Sequence, residues 1–296
     1  MKLRRLGEDR LLEQLLAAMP RRAGVVAGAG DDCAVVEAPG RGRLLLLKTD
    51  CVVEKIHFVS GTDAQAVGWK AMMRPLSDFA AMSGVPQFAM VTLMLSGETT
   101  DAWVRKLYRG LRSAADRFHV AIVGGETSST RGPAAISVSV AGFVEKNRQV
   151  TRRGGKPGDE LYVTGRLGGS RRGKHLRFVP RICEARWLSE NFSIHAMMDL
   201  SDGLGSDLPR LAKASGVGFE IDPASLPLAP GASRANAIAD GEDFELLFAL
   251  SSRESDRLER AWRRKFPRLR LTKIGRLNRK STIANRKLKS GYVHFK

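Results

Sequence analysis

Six short stretches of the chain place carboxylates beside Gly, Ser or Thr. They are Gly30-Asp31-Asp32, Thr49-Asp50, Ser77-Asp78, Gly124-Gly125-Glu126-Thr127, Asp199-Leu200-Ser201-Asp202-Gly203 and Asp240-Gly241-Glu242-Asp243. Small neighbours let a carboxylate come close to a hard cation, and magnesium takes oxygen ligands together with waters and substrate phosphates. Several carboxylates gathered in one cleft repel one another unless cations intervene, so a metal with a polyphosphate is their natural companion. Each stretch alone reads first as ordinary turn or N-cap chemistry; six in one chain point toward a metal–phosphate site.

Other motifs carry less. Gly168-Gly169-Ser170-Arg171-Arg172-Gly173-Lys174-His175 fits GxxxxGK but ends in His, where a P-loop needs Ser or Thr. Pro180 follows six residues after Lys174, too soon for the long helix a P-loop opens, and a flexible Gly/Arg loop is expected instead. His57, just after Asp50, can reach the same cleft, whereas His119 at a helix-to-strand junction reads as structural. Cys33, Cys51 and Cys183 form no close pair and no CxxC, so they read as small buried hydrophobes. No Gly-x-Ser-x-Gly elbow appears, and a hydrolase triad has no support.

The elements that must position these residues follow from periodicity. Apolar, β-branched runs at 44–49, 90–95, 120–123 and 135–143 predict strands, the last with period-two alternation. Helical patterns occupy 64–82 and 101–118. The polar, Gly- and Pro-rich stretch 146–159 is the best boundary, dividing residues 1–147 from 148–296. Beyond it come a strand at 161–164, helices near 181–188 and 204–215, and strands near 218–221 and 246–250. The mixture predicts an α/β or α+β layer architecture, and 296 residues suffice for two domains. Leu11, Leu12, Leu15, Leu16 and Met19 predict an amphipathic N-terminal helix. Acidic residues at Glu8, Asp9 and Glu13 interrupt any signal-peptide core, and no apolar run of about 18 residues exists. A cytoplasmic protein that spans no membrane is expected.

The formal net charge is +18. Residues 253–296 hold 16 Lys and Arg against 3 acidic residues, so most of the excess belongs to this segment. Trp262 and Phe266 are the only aromatics among its densest charges. A solvated basic face is therefore preferred to a nucleic-acid site, which stays open as an alternative.

Taken in order, GAGDDCAVV, KTDCVVEKIHF, GWKAMMRPLSDFAAMSGVP, VGGETSS, TRRGGKPGDELYVTGRLGGS, MMDLSDGLGSDL, GEDFELLF and the closing GYVHF resemble the thiamine-monophosphate kinase family. That family is a branch of the aminoimidazole-ribonucleotide-synthetase-like (PurM-like) superfamily, and the resemblance covers almost the whole chain. It implies a two-domain α/β plus α+β fold. Residues 1–147 would bind ATP and Mg2+ and dimerise through their sheet, and residues 148–296 would form the second PurM-like domain. It also implies direct in-line transfer of the γ-phosphoryl group of ATP to thiamine monophosphate in a homodimer. On this resemblance Asp32, Thr49, Asp50, Asp78, Glu126, Asp199 and Asp202 match positions that bind several Mg2+ ions. Tyr108, Gly125, Arg152 and Ser201 match ATP-binding positions, and His57, Glu242 and Tyr292 match positions that contact the thiamine substrate. The chain departs from the family pattern at Lys48, Pro75, Glu126 and Asp240, and the stretch between Ser170 and His175 is shorter than usual. Two further readings accompany this one: a superfamily member using ATP on another acceptor, and a non-catalytic paralogue that binds nucleotide or nucleic acid.

Overall fold

The computed structural model describes residues 2–18, 22–28, 30–38 and 42–279. Two short helices open the chain, α1 (Leu3–Leu6) and α2 (Glu8–Ala18). The first half then runs β1 (Val25–Ala27), β2 (Ala34–Glu37), β3 (Arg43–Val53), α3 (Ala64–Ala81), β4 (Val85–Leu95), α4 (Asp101–Arg117), β5 (Ala121–Ser129) and β6 (Ala135–Glu145). Its six strands lie in the order β1-β2-β3-β6-β4-β5, antiparallel except for the parallel pair β4/β5. A parallel pair needs a crossover, and α4 supplies it.

Alternation decides which face of this sheet is covered. Leu44, Leu46, Ala89, Val91, Ile136, Val138 and Val140 point inward, fully or almost fully buried against α3. The opposite face leaves Leu47, Phe88, Met90 and Val123 exposed. The helix α3 starts where the Asp63 carboxylate accepts from Ala66 N at 3.2 Å and is enclosed on nearly every side. Its contact with α4 depends on two glycines. A Cβ at Gly68 would lie 2.0 Å from Leu107 O, and one at Gly110 would lie 1.9 Å from Gln65 O, so the backbones touch directly.

The second half runs β7 (Asp159–Thr164), α5 (Ile182–Asn191), β8 (Ile194–Asp199), α6 (Leu204–Ser215), β9 (Gly218–Ile221), α7 (Arg234–Ala239), β10 (Leu246–Ser251), α8 (Ser255–Lys265) and β11 (Leu271–Asn278). Its sheet has the order β8-β10-β7-β11-β9, and every pair is antiparallel. Both faces of β10 are buried: Leu247 and Ala249 pack with α6, while Leu246, Phe248 and Leu250 join the same core as the first sheet. The two halves thus share one hydrophobic interior.

Several expectations are corrected here. Thr49-Asp50 lies within β3, Ser77-Asp78 within α3 and Gly124 to Thr127 within β5, not in turns; ladder and helix hydrogen bonding outweighs local turn preference in these segments. The strands β1, β2, β8 and β11 and the helices α7 and α8 were not legible, because short or charge-interrupted segments lose their periodicity. In α2, Leu11 and Leu16 are half-buried while Leu12 and Leu15 are exposed. Cys33 is buried, Cys51 is half-buried and Cys183 is exposed; the turn-by-turn geometry of α5 places Cys183 outward. The GxxxxGK stretch forms two 3-10 turns, Ser170–Arg172 and Lys174–Leu176, where Ser170 Oγ donates to Gly241 O at 2.5 Å.

Gly68→Ala forces α3 and α4 apart and lowers stability by about 1–3 kcal/mol, measured by urea denaturation.

Candidate active site

The site is built around one face of α3. Lys70, Arg74 and Asp78 recur every four residues, and Ser77 precedes the last. Asp78 meets Asp32, from the bend before β2, and Asp199, the last residue of β8; one oxygen of each lies within 4.8 Å of the others, and all three are buried. Three carboxylates so close are tolerated because cations and hydrogen bonds surround them. Lys48 Nζ lies 2.9 Å from Asp78 Oδ1. Arg152 grips Asp32 with two nitrogens, Nη2–Oδ1 at 2.6 Å and Nε–Oδ2 at 3.2 Å, while its backbone N–H donates to Asp31 at 2.8 Å. Ser77 Oγ donates to Asp199 at 2.6 Å, and Arg74 Nη2 lies 3.1 Å from Asp50 Oδ1.

The balance leaves proton affinity high within the cluster. Burial, with Asp32 adding to it, raises the Asp199 carboxyl to about 7, and burial drives Asp78 upward as well, although Lys48 opposes the shift. Burial also acts against the Lys48 ammonium, but Asp78 and Asp50 outweigh it and keep the amine charged. All the donors are hard oxygens, the set that magnesium prefers.

Beside the cluster lies a cavity lined by Ile56, His57, Arg74, Arg171, Ser201, Asp202, Asp240, Glu242 and Phe244. Lys70, with no exposed side-chain surface, is its hub. Its Nζ donates to His57 O at 2.6 Å, lies 2.8 Å from His175 Nδ1 and lies 2.6 Å from Glu242 Oε1. Burial lowers this amine to about 8, more than the attraction of Glu242 restores. Burial alone would raise Glu242, yet the His175 hydrogen bond together with Lys70 and Arg74 holds it at about 2. The two partners respond differently because Lys70 is wholly enclosed, whereas Glu242 collects three basic neighbours and opens into the cavity. Glu242 also sits at φ 54°, a conformation uncommon outside Gly, Asn and Asp. On the far rim Arg210 pairs with Asp202 and, at 3.2 Å, with the buried Asp207, whose Oδ2 accepts from Asp202 N at 3.0 Å.

The structure therefore brings together Asp32, Asp50, Asp78, Asp199 and Arg152 on one side, and His57, Ser201, Asp202 and Glu242 on the other. It places four others elsewhere. Thr49 is on β3, where its hydroxyl accepts from Ser139 Oγ at 3.0 Å, and it lines the open sheet face with Lys48 and Met90. Glu126 is exposed on β5 and, among the described residues, accepts from the neighbouring Thr127 N–H at 2.9 Å. Gly125 lies against β4, where a Cβ would meet Val91 O at 1.8 Å. Tyr108 sits on α4 beside Arg105, Arg109 and Arg112. Tyr292 lies outside the described residues. Reading the residues one at a time missed Lys70, Arg74, His175 and Asp207. The four-residue spacing of Lys70, Arg74 and Asp78 within a helical pattern was a signal for the first two.

The two halves match two family models: AIR synthase related protein, N-terminal domain, over residues 30–144, and AIR synthase related protein, C-terminal domain, over 147–258. The fold is thus that of the AIR-synthase-related class. Within it, the chain is 37% identical over 252 residues to thiamine-monophosphate kinase of Rhodopirellula baltica, covering 79% of each chain. It is 34% identical over 258 residues to thiamine-monophosphate kinase of Escherichia coli K12, covering 77% of this chain and 78% of the relative. Superposition on a ThiL complexed with AMPPCP and TMP gives a TM-score of 0.82 at 30% identity, covering 99% of this chain and 94% of the other. The chain belongs to the thiamine-monophosphate kinase family.

A pH dependence follows from Asp199 and from the buried Asp243, which burial also raises to about 7. Unfolded carboxyls titrate near 4, so the folded state holds protons that the unfolded chain has lost between about pH 4 and pH 7. This stabilisation is complete below about pH 4 and disappears as pH rises through about 7. The melting temperature of the metal-free protein is expected to fall from pH 5 to pH 8, and millimolar Mg2+ is expected to restore it at pH 8, measured by differential scanning fluorimetry.

Proposed function

We propose that this protein uses ATP and Mg2+ to phosphorylate thiamine monophosphate to thiamine diphosphate by direct in-line transfer of the γ-phosphoryl group. The carrying observation is the convergence of Asp32, Asp78 and Asp199 beside a cavity holding His57 and Glu242, in a chain of this family. A relative solved with AMPPCP and TMP supports both ligands. Asp32, Asp50, Asp78, Asp199 and Asp202 are the residues that would hold Mg2+, which when bound supplies neutralisation of the polyphosphate charge. Arg152 orients Asp32 and offers its guanidinium to phosphate oxygens. Glu242, kept ionised by His175 and Lys70, faces the cavity as an anion suited to a cationic heterocycle, with His57 beside it. Ser201, Gly125 and Tyr108 are assigned to the nucleotide, and Thr49 and Glu126 to further metal ligation.

The assignments of Thr49, Glu126, Gly125 and Tyr108 fit a homodimer best. The exposed face carrying Leu47, Phe88, Met90 and Val123 is an apolar patch of the kind that association covers, and Thr49 stands on it. We place the domain boundary between residues 147 and 148, in the segment that joins the two sheets. Among the described residues no helix is long and apolar enough to cross a membrane, and a cytoplasmic location is part of the proposal.

The assay is ADP release with ATP and Mg2+, with and without thiamine monophosphate. Release only in its presence is expected, and Asp50→Ala is expected to lower the rate by a factor on the order of 10²–10³. Release indifferent to thiamine monophosphate would point to another acceptor. No release, with nucleotide or RNA still bound, would point to a non-catalytic paralogue. A second measurement concerns Lys48, whose ammonium already occupies one side of Asp78. Lys48→Thr removes that competitor, and tighter Mn2+ binding is expected in an isothermal titration; unchanged affinity would mean that Lys48 does not compete with metal.

A further inference from the structure

A second cavity, on the opposite side of the Gly168–His175 loop from the carboxylate cleft, has no role in the chemistry above. It is an open concavity of about 540 Å³ lined by six basic side chains, Arg166, Arg172, Lys174, Arg181, Arg268 and Arg270, and by Glu245; Lys174 also lies 3.9 Å from Asp243 and Arg181 3.9 Å from Glu184. The Glu245 carboxylate is consumed in the floor: Arg181 grips it with Nε–Oε2 at 2.7 Å and Nη2–Oε1 at 2.9 Å, and Lys174 Nζ reaches Oε1 at 2.9 Å. Among the described residues, Arg172, Arg268 and Arg270 have no carboxylate within 4 Å.

Arg166, Arg172 and Lys174 have fixed surroundings, and Arg268 and Arg270 are exposed side chains on an anchored backbone. The Arg172 guanidinium lies between two glycines in left-handed conformation: a Cβ on Gly169 (φ 71°) would come 2.4 Å from its Nη2, and one on Gly231 (φ 69°) would come 2.8 Å from its Nη1. Arg166 Nη1 donates to Leu228 O at 3.0 Å, and Lys174 Nζ donates to Arg166 O at 3.0 Å. The strand of backbone bearing Arg268 and Arg270 is anchored by Trp262 Nε1 donating to Leu269 O at 2.8 Å and by Gly165 N donating to Arg270 O at 2.8 Å. Positive charges oriented in one concavity raise the local potential, which an anion relieves. Guanidinium groups in particular match phosphate oxygens with paired N–H donors.

We infer that this cavity is a binding site for a small molecule carrying two or more phosphoryl groups, distinct from the carboxylate cleft. Its walls come from the loop 165–174, from Arg181, from Ala229 and Pro230, from Glu245 and from residues 268–270 ahead of β11, a concave shape that suits a compact polyanion better than an extended strand of nucleic acid. The loop also ties the two sites together: Arg171 lines the carboxylate-side cavity while its neighbour Arg172 lines this one.

The test is isothermal titration of the full chain with inorganic pyrophosphate and, separately, ADP, both in EDTA. A saturable site for pyrophosphate is expected. Arg172→Gln combined with Arg270→Gln is expected to weaken it by about tenfold or more. Arg152→Gln, in the cleft, and the pair Arg263→Gln with Arg264→Gln, on exposed α8, are expected to leave it unchanged. Either order of affinity between ADP and pyrophosphate supports the site and separates a nucleotide from a bare diphosphate. The proposal is overturned if pyrophosphate does not bind, if Arg152→Gln alone abolishes binding, if the α8 pair weakens it as much as the cavity pair, or if single-stranded RNA binds the cavity without competition from pyrophosphate.

Discussion

The mutual repulsion of Asp32, Asp78 and Asp199 is the constraint around which the rest of the molecule is arranged. Three buried carboxylates within reach of one another are costly in a low-dielectric interior. The structure meets that cost with groups drawn from distant points of the chain: Lys48 from a strand, Arg152 from the segment between the sheets, and Ser77 from the central helix. Two of the three acids come from the first half and one from the second, so the cluster exists only when the halves are packed together. The helix α3 makes this possible by presenting its charged face to the seam while its other faces stay in the core.

The neighbouring cavity follows a different electrostatic rule. There Lys70 is buried without exposure and must be satisfied completely, which it achieves with a backbone carbonyl, an imidazole and a carboxylate. The outcome is asymmetric: the amine loses proton affinity and the carboxylate keeps its charge. A cluster that favours protons thus stands beside a carboxylate that rejects them, within one continuous site.

Much of this was legible from residue order. The acidic positions, Arg152 and His57 were named from the sequence, and the long alternating run that became β6 showed its period plainly. Other parts were hidden for physical reasons. Lys70 and Arg74 look like ordinary solvated helix charges until β3 and loops from both halves close around them, and nothing local announces that covering. His175 joins the site only because its loop is tightened by 3-10 turns against Gly241. The strands β8 and β11 carry methionine, histidine, lysine and arginine where β-branched residues would have advertised them, and pairing with β10 and β7 makes them strands. The aromatic pair Trp262 and Phe266, noted among the basic charges near the C-terminus, turns inward: Trp262 is buried and stacks at an angle on Trp187 and Phe266. Its neighbours are left as a charged outer surface.

The interior shared by the two sheets has a consequence for how such a chain can diversify. Phe248, Tyr162 and Trp262 of the second half lie in the same apolar cluster as Met72, Leu76 and Phe79 of the first. A half transplanted from a relative would therefore bring a mismatched set of side-chain volumes to the seam, with holes or collisions directly beneath the acidic cluster. Recombination at the apparent boundary would disturb catalysis first through packing. Inherited change in this protein is expected to accumulate in the loops and outer charges, with the two halves drifting as coupled partners.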